Sequence, residues 1–109
     1  MTPASSARIL RTLSRENAFY FFTSFGNYSG HRAMSLEEFA HEIAEVEIAS
    51  LEFHLYRGDF EKWITEVLED KKLARRISDL KHFEPVGNAL RDQLLFTVSK
   101  RLEELKIAA

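Results

Sequence analysis

One stretch near the middle of the chain decides the fold: SLEFHLYRGDFEKWI, residues 50–64. It contains the only tryptophan, Trp63, and a Gly-Asp pair with apolar residues on both sides. Glycine readily adopts the left-handed conformation that ends a helix, and aspartate is a preferred N-cap. The pattern therefore predicts two helices that meet at Gly58, with Asp59 capping the second.

The segment before that glycine permits two interpretations. Leu51, Phe53 and Leu55 alternate with more polar residues, as in a half-buried strand. The alternative is a helix with Ser50 as its N-cap and with Leu51 and Leu55 on the buried face. A lone strand between helices would have no partner with which to pair, so we expect the helix.

Three further helices are expected downstream, because apolar residues recur there every three or four positions. The first is the central core helix, the second is capped by Asp70, and the third runs from Asn88 to about Lys106. Their predicted buried residues are Phe60, Trp63, Ile64, Val67 and Leu68; Leu73, Ala74, Ile77 and Leu80; and Leu90, Leu94, Val98, Leu102 and Leu105.

Upstream, the clearest signal is a capping box made by Ser35 and Glu38, which predicts a helix start. The buried stripe of that helix is Leu36, Phe39, Ile43 and Val46. The aromatic residues in the window 17–25 favour a helix, with a short strand as the alternative. Residues 26–30, which carry two glycines, are expected to form an irregular loop.

Residues 1–17 are expected to be a frayed or short amphipathic segment, with Ile9, Leu10 and Leu13 inward and an arginine stripe in water. An organelle transit peptide is the alternative for this arginine-rich and serine-rich start. Residues 18–107 then form one domain.

Composition limits both fold and function. The 109 residues are 45% hydrophobic and 29% charged, with only four Gly and two Pro, too few turn residues for a many-stranded β fold. We therefore expect a single all-α domain, a bundle of five to six helices with a long C-terminal helix. The net charge of −2 makes nucleic acid an unlikely partner. The chain has no cysteine and no apolar run long enough to cross a membrane, which fits a cytoplasmic protein.

The candidate ligand-binding residues are His54, Arg57, Asp59 and the loop residues Asn27, Tyr28 and Ser29. On a helix, His54 and Arg57 share one edge, and a guanidinium can hold a phosphate or carboxylate through two parallel hydrogen bonds. A small anionic ligand is therefore expected. In the alternative, Arg57 pairs with Asp59 and His54 donates to a backbone carbonyl, so that both only brace the turn.

Catalysis and metal binding are the weaker alternatives. His54 could act as a general base assisted by Glu52, Arg57 or Tyr28, because histidine titrates near neutral pH. His41 lies four residues from Glu37 and from Glu45, but a solvated helix face gives this pattern more often than a metal site. We expect no catalytic residue, metal or cofactor, and predict a non-catalytic binding or regulatory module.

Apolar surface could also serve a partner protein. The aromatic window Phe19–Phe25 and Phe96, which falls off the main stripe of the terminal helix, exceed what a small interior is expected to bury. A homodimer or another protein partner is the expected occupant, and a homodimeric scaffold is the alternative function.

The order of motifs resembles a prokaryotic domain of unknown function, number fifty-seven fifty-two, over residues 18–105. A Phe-x-Phe, a turn ending Ser-Gly and a helix opening Ser-Leu-x-Glu-Phe are followed by further matching pairs. The resemblance implies no activity, but it marks certain residues as motif positions. It also implies a cytoplasmic protein, because the relatives are archaeal and bacterial. Some relatives carry a second histidine and an insertion where this chain has Gly58 alone. The marked positions are Ser29-Gly30, His54, Arg57, Asp59 and Trp63.

Overall fold

The part of the chain that the computed structural model describes, residues 5–108, contains six α-helices and one β-hairpin. Its radius of gyration is 13.1 Å, as expected for one domain of this size. The prediction of a mostly helical domain with a long terminal helix is confirmed, and the hairpin is an addition to it. The elements are α1 Ser6–Ile9, β1 Phe19–Ser24, β2 Asn27–Ala33, α2 Leu36–Glu45, α3 Ile48–Arg57, α4 Asp59–Trp63, α5 Lys71–Lys81 and α6 Gly87–Ala108.

The expected helix in the aromatic window is wrong, because β1 is a strand. Phe19 and Phe21 alternate into the core, where both are buried, while Tyr20 and Phe22 are only partly covered. The expected loop at 26–30 instead provides the turn and part of β2, which pairs antiparallel with β1. Period-two burial and an adjacent pairing strand thus outweigh the helical spacing of the same residues.

The N-terminal segment is docked rather than loose. Ile9 and Leu13 are buried, as expected, and Leu10 packs against the core. The arginine stripe is not simply solvated, however, because Arg8 pairs with Glu69 and the Arg11 guanidinium donates to a backbone carbonyl at residue 67. Of the predicted frayed or amphipathic segment 1–17, residues 1–4 lie outside the described part.

One of the two predicted hydrogen bonds of the capping box at α2 forms as expected. The Ser35 hydroxyl accepts from the Glu38 N–H at 3.1 Å. The Glu38 carboxylate accepts from the Met34 N–H at 2.9 Å, one residue earlier than predicted. The other end of α2 is also covered, because the Arg91 guanidinium on α6 donates to backbone carbonyls of residues 43, 44 and 46.

Two predicted caps in the central stretch are wrong. The helix α3 begins at Ile48, so Ser50 lies inside it, fully buried, and its hydroxyl is without a hydrogen-bond partner among the described atoms. Gly58 adopts the left-handed conformation, with φ of 79°, as predicted. It is also the N-cap of α4, so Asp59 is the first helical residue and its carboxylate makes no cap.

The predicted core helix is interrupted. Residues Ile64–Leu68 form a π-helical segment after α4. The Asp70 N–H closes this widened turn on the Ile64 carbonyl, and the Asp70 carboxylate caps α5 and binds the Arg101 guanidinium. The buried residues are nevertheless those expected, except that Val67 is only partly buried. The stripes of α5 and α6 are confirmed in full.

Candidate functional site

A groove of about 380 Å³ lies between the hairpin tip and the junction of α3 with α4. Most of its wall is aromatic, and its polar groups are gathered at the junction. The lining residues are Phe19, Tyr20, Phe22, Ser24, Phe25, Gly26, Phe53, His54, Arg57 and Asp59.

His54 is the link between the hairpin and α3. Its ring is 4% exposed and packs edge-on against Phe19 and Phe53, with centroid distances of 4.9 and 5.0 Å. The Phe22 backbone N–H donates to Nε2 at 2.8 Å, and Nδ1 lies 2.8 Å from Asp59 Oδ2. Because a backbone N–H can only donate, Nε2 is the unprotonated nitrogen and Nδ1–H donates to the carboxylate.

The environment of His54 favours its neutral form. Burial lowers the pKa of the imidazole below its ordinary value of 6.5, because a charged ring would lose its hydration. The hydrogen bond and the charge of Asp59 act in the opposite direction but do not reverse the shift, and the nearby Arg57 lowers the pKa further. Protonating Nε2 would also remove the acceptor that the Phe22 N–H uses.

Asp59 connects His54 to Arg57. Its Oδ2 accepts from His54 and also from Arg57 Nε, at 3.0 Å. The left-handed Gly58 turns the chain between α3 and α4, so that the first residue of α4 lies beside the last turn of α3. The bend therefore explains why Asp59 contacts two α3 side chains instead of capping its own helix.

Arg57 lies against two aromatic rings. Its guanidinium carbon is 4.4 Å from the centroid of Phe25 and 4.9 Å from that of Phe53. The two rings pack edge-to-face with each other, with centroids 5.5 Å apart, so the guanidinium is restrained beside this pair of rings and through Nε by Asp59. Within residues 5–108 its two terminal nitrogens make no hydrogen bond, and the side chain is 41% exposed. Donor groups in a fixed orientation are thus left at the groove.

The structure brings together only half of the predicted ligand-binding set. His54, Arg57 and Asp59 line the groove, whereas Asn27, Tyr28 and Ser29 lie on β2 and do not. The Asn27 amide donates to Thr23, and the Tyr28 ring packs against Tyr20 and Phe22. The Ser29 hydroxyl donates to the Phe21 carbonyl at 2.6 Å, which ties the two strands together.

The sequence did not indicate the aromatic part of the site. Phe25 is 79% exposed, whereas the aromatic window Phe19–Phe25 was expected to be buried or covered by a partner protein. Its position directly before Gly26, and the spacing of four between Phe53 and Arg57, are the signals that could have pointed to a shared surface. They become specific only when the hairpin is known.

The sequence profile of a family of unknown function, DUF5752, matches residues 16–109. The chain belongs to this family. Neither a curated protein nor a solved structure shows significant similarity to it. The resemblance stated from the motifs is therefore confirmed, and it assigns no activity to the DUF5752 domain.

The two remaining motif positions of this DUF5752 domain have structural roles. The Trp63 indole is buried and donates to the Asn17 carbonyl at 2.8 Å, which fixes the entry to β1. Gly30 has a φ of 88°, a conformation that side chains rarely adopt, next to Ser29 in β2. The expected bracing role of Arg57 on Asp59 is observed, but His54 bonds a backbone N–H and a carboxylate rather than a carbonyl.

Residues 5–108 contain neither a cluster of metal ligands nor a membrane-spanning helix. No group of three or more His, Asp or Glu side chains there is arranged to hold a metal ion. His41 is exposed, and the close histidine–carboxylate pair is a different one, which joins His31 Nδ1 on β2 to Glu42 Oε2 on α2 at 2.6 Å. None of the helices in this part of the chain is long and apolar enough to cross a bilayer.

Proposed function

We propose that the chain is a non-catalytic module that binds a small amphipathic anion in the groove between the hairpin tip and α3. The apolar body of the ligand lies against the aromatic walls, and its carboxylate or phosphate accepts hydrogen bonds from Arg57. The observation that carries this proposal is the guanidinium of Arg57, which lies against both Phe25 and Phe53 and makes no hydrogen bond through its terminal nitrogens within residues 5–108.

The arrangement reduces the cost of binding. An arginine side chain normally loses much rotamer freedom when it grips a ligand, whereas Arg57 is already restrained by Asp59 and by two rings. Aromatic walls with a few convergent polar groups are typical of small-molecule sites. Charge also limits the ligand class: Asp59 balances Arg57, so a single anionic group on an apolar body fits better than a polyanion.

The hydrogen bonds of His54 favour binding over catalysis. Both ring nitrogens already have partners, and accepting a substrate proton at Nε2 would release the Phe22 N–H. A general base needs a free acceptor within reach of the substrate proton. In this proposal His54 positions the hairpin and Asp59, and through Asp59 it positions Arg57.

The cellular setting completes the proposal. We place the module in the prokaryotic cytoplasm, where a chain without cysteine needs no oxidising compartment for its folding. A ligand-dependent change in the hairpin would then give it a regulatory output, because the groove wall includes the hairpin tip.

The test is a titration of ¹⁵N-labelled protein with 3-phenylpropionate and with phenyl phosphate, followed by amide chemical shifts. We expect saturable shifts confined to the groove, at Phe22, Ser24, Gly26 and Phe53. Arg57→Gln should weaken binding at least about tenfold, since charge-assisted hydrogen bonds are lost.

The matched control is Arg75→Gln, because Arg75 is an exposed arginine on α5 away from the groove. It should leave the affinity unchanged. Shifts that scatter over the surface, or equal weakening by both substitutions, would show that the probes bind by charge alone and would contradict the proposal.

A further inference from the structure

A second surface, formed by α5 and α6, combines exposed aromatic rings with charged side chains that make no ion pair within residues 5–108. Phe96 on α6 is 69% exposed and Phe83 after α5 is 78% exposed. Both line one shallow groove of about 410 Å³ between the two helices. Isolated exposed apolar residues are ordinary, but two large rings beside one groove mark an interaction surface.

The outward face of α6 is centred on Phe96. Residues that follow Phe96 by three, four or seven positions, or precede it by as many, lie on the same side of a helix. All of them are exposed. They are Ala89, Asp92, Gln93, Ser99, Lys100 and Glu103. We call this surface, with Phe96 and Phe83, the α6 face.

The charges on the α6 face are complementary to themselves. Asp92 lies one turn before Phe96 and Lys100 one turn after it, and neither makes an ion pair within residues 5–108. If two copies of α6 cross antiparallel about a two-fold axis at Phe96, each residue faces the one equally far on the other side of Phe96. Asp92 then faces Lys100 of the other copy, twice.

The groove wall is already ordered for such a contact. Arg76 on α5 pairs with Glu104 on α6 at 3.0 Å, and Arg101 binds both Glu104 and the buried Asp70. These ion pairs tie α5 to α6, so the groove beside Phe96 keeps its shape without a partner. The 22 residues of α6 extend over about 33 Å, enough for the roughly 600 Å² per copy that a small specific interface buries.

We propose that the occupant of the α6 face is a second copy of this chain, packed antiparallel across a two-fold axis at Phe96. Each Phe96 ring packs against its symmetry mate and beside Phe83, and two Asp92–Lys100 pairs flank the rings. An isologous interface requires opposite charges at symmetry-related positions, and these residues supply them. The proposal does not depend on the ligand groove, because the two surfaces share no residue.

The first test is sedimentation velocity over a wide range of protein concentration. The wild-type chain should show a concentration-dependent dimer, and Phe96→Ser should weaken it about a hundredfold, because a central aromatic anchor is lost from both copies. Circular dichroism should show an unchanged fold, since Phe96 is exposed. A strict monomer at millimolar concentration, or a dimer that Phe96→Ser leaves intact, would overturn the proposal.

Charge exchange tests the geometry. Asp92→Lys and Lys100→Asp should each weaken the dimer about tenfold, since each creates two like-charge pairs, and the double variant should recover most of the loss. Glu103→Lys is the matched control, because its symmetry-related neighbour is Ala89, and it should change nothing. A double variant weaker than either single one would refute the two-fold arrangement even if a dimer forms.

Discussion

Replacing His54 by phenylalanine separates the hydrogen bonds of the imidazole from its packing. Phenylalanine keeps a planar ring among the aromatic neighbours Phe19 and Phe53 but removes both nitrogens. The Phe22 N–H then has no acceptor from the ring, while Asp59 keeps its bond from Arg57. The change therefore isolates the connection between the hairpin and α3.

The expected loss can be worked from these contacts. An unmet N–H that is largely shielded from water costs about 1–3 kcal/mol, and the lost bond to Asp59 costs about 1 kcal/mol more. Burying a more apolar ring returns roughly 1 kcal/mol. We expect His54→Phe to lower the free energy of unfolding by about 2 kcal/mol, which corresponds to a Tm lower by about 8 °C in a domain of this size.

The assay is urea and thermal unfolding of His54→Phe and of His54→Gln at pH 8, followed by circular dichroism. The amide oxygen of glutamine can accept from the Phe22 N–H, so this variant should lose about half as much, roughly 1 kcal/mol. If His54→Phe were as stable as the wild type, the imidazole would not be holding the hairpin, and the account of the site would be refuted.

Two further predictions concern pH and the end of α2. Because the pKa of His54 is lowered in the folded state, its neutral form contributes stability that is complete above the unfolded value of 6.5 and is lost as the pH falls through the folded-state pKa. The slope of Tm against pH between 8 and 5 should therefore be smaller in His54→Gln than in the wild type, and unchanged in the exposed control His41→Gln. Equal slopes in all three proteins would contradict the assignment. Arg91→Ala should lower the free energy of unfolding, measured by urea denaturation, by about 2 kcal/mol, because carbonyls at the end of α2 lose their charged donor. The control Arg75→Ala should change it by less than about 0.5 kcal/mol. Similar losses in both variants would contradict the capping role of Arg91.

The helices that the sequence predicts best are those whose signals are local. The Ser35 and Asp70 caps and the α6 stripe depend on residues within a few positions of one another, and the structure confirms them. Gly58 belongs to the same group, because a glycine that ends a helix needs no distant partner.

The predictions that failed depend on contacts made over long distances in the sequence. Asp59 looks like a cap, but His54 and Arg57 attract its carboxylate once α3 and α4 meet. Phe19 and Phe21 fit a helix or a strand, and only their pairing with β2 and burial under α3 decide for the strand. Local periodicity in the sequence predicts neither the contacts of the Asp59 carboxylate nor the pairing of β1 with β2.

The same difference between local and long-range contacts explains which residues of the candidate site could be predicted from the sequence. His54 and Arg57 share a helix edge, so their proximity follows from spacing alone. Phe25, by contrast, reaches Arg57 from the tip of the hairpin, more than thirty residues away in the sequence. The contact of the Arg57 guanidinium with both rings, which carries the proposed function, could therefore not be predicted before the fold was known.

The most direct test of the proposed function compares two ligands that differ only in charge. Binding isotherms are measured by calorimetry for 3-phenylpropionate and for 3-phenyl-1-propanol, each with the wild type and with Arg57→Gln. The account predicts that the acid binds the wild type at least about tenfold more tightly than the alcohol, and that Arg57→Gln abolishes this difference. Equal affinity of acid and alcohol for the wild type, or a preference that survives Arg57→Gln, would contradict it.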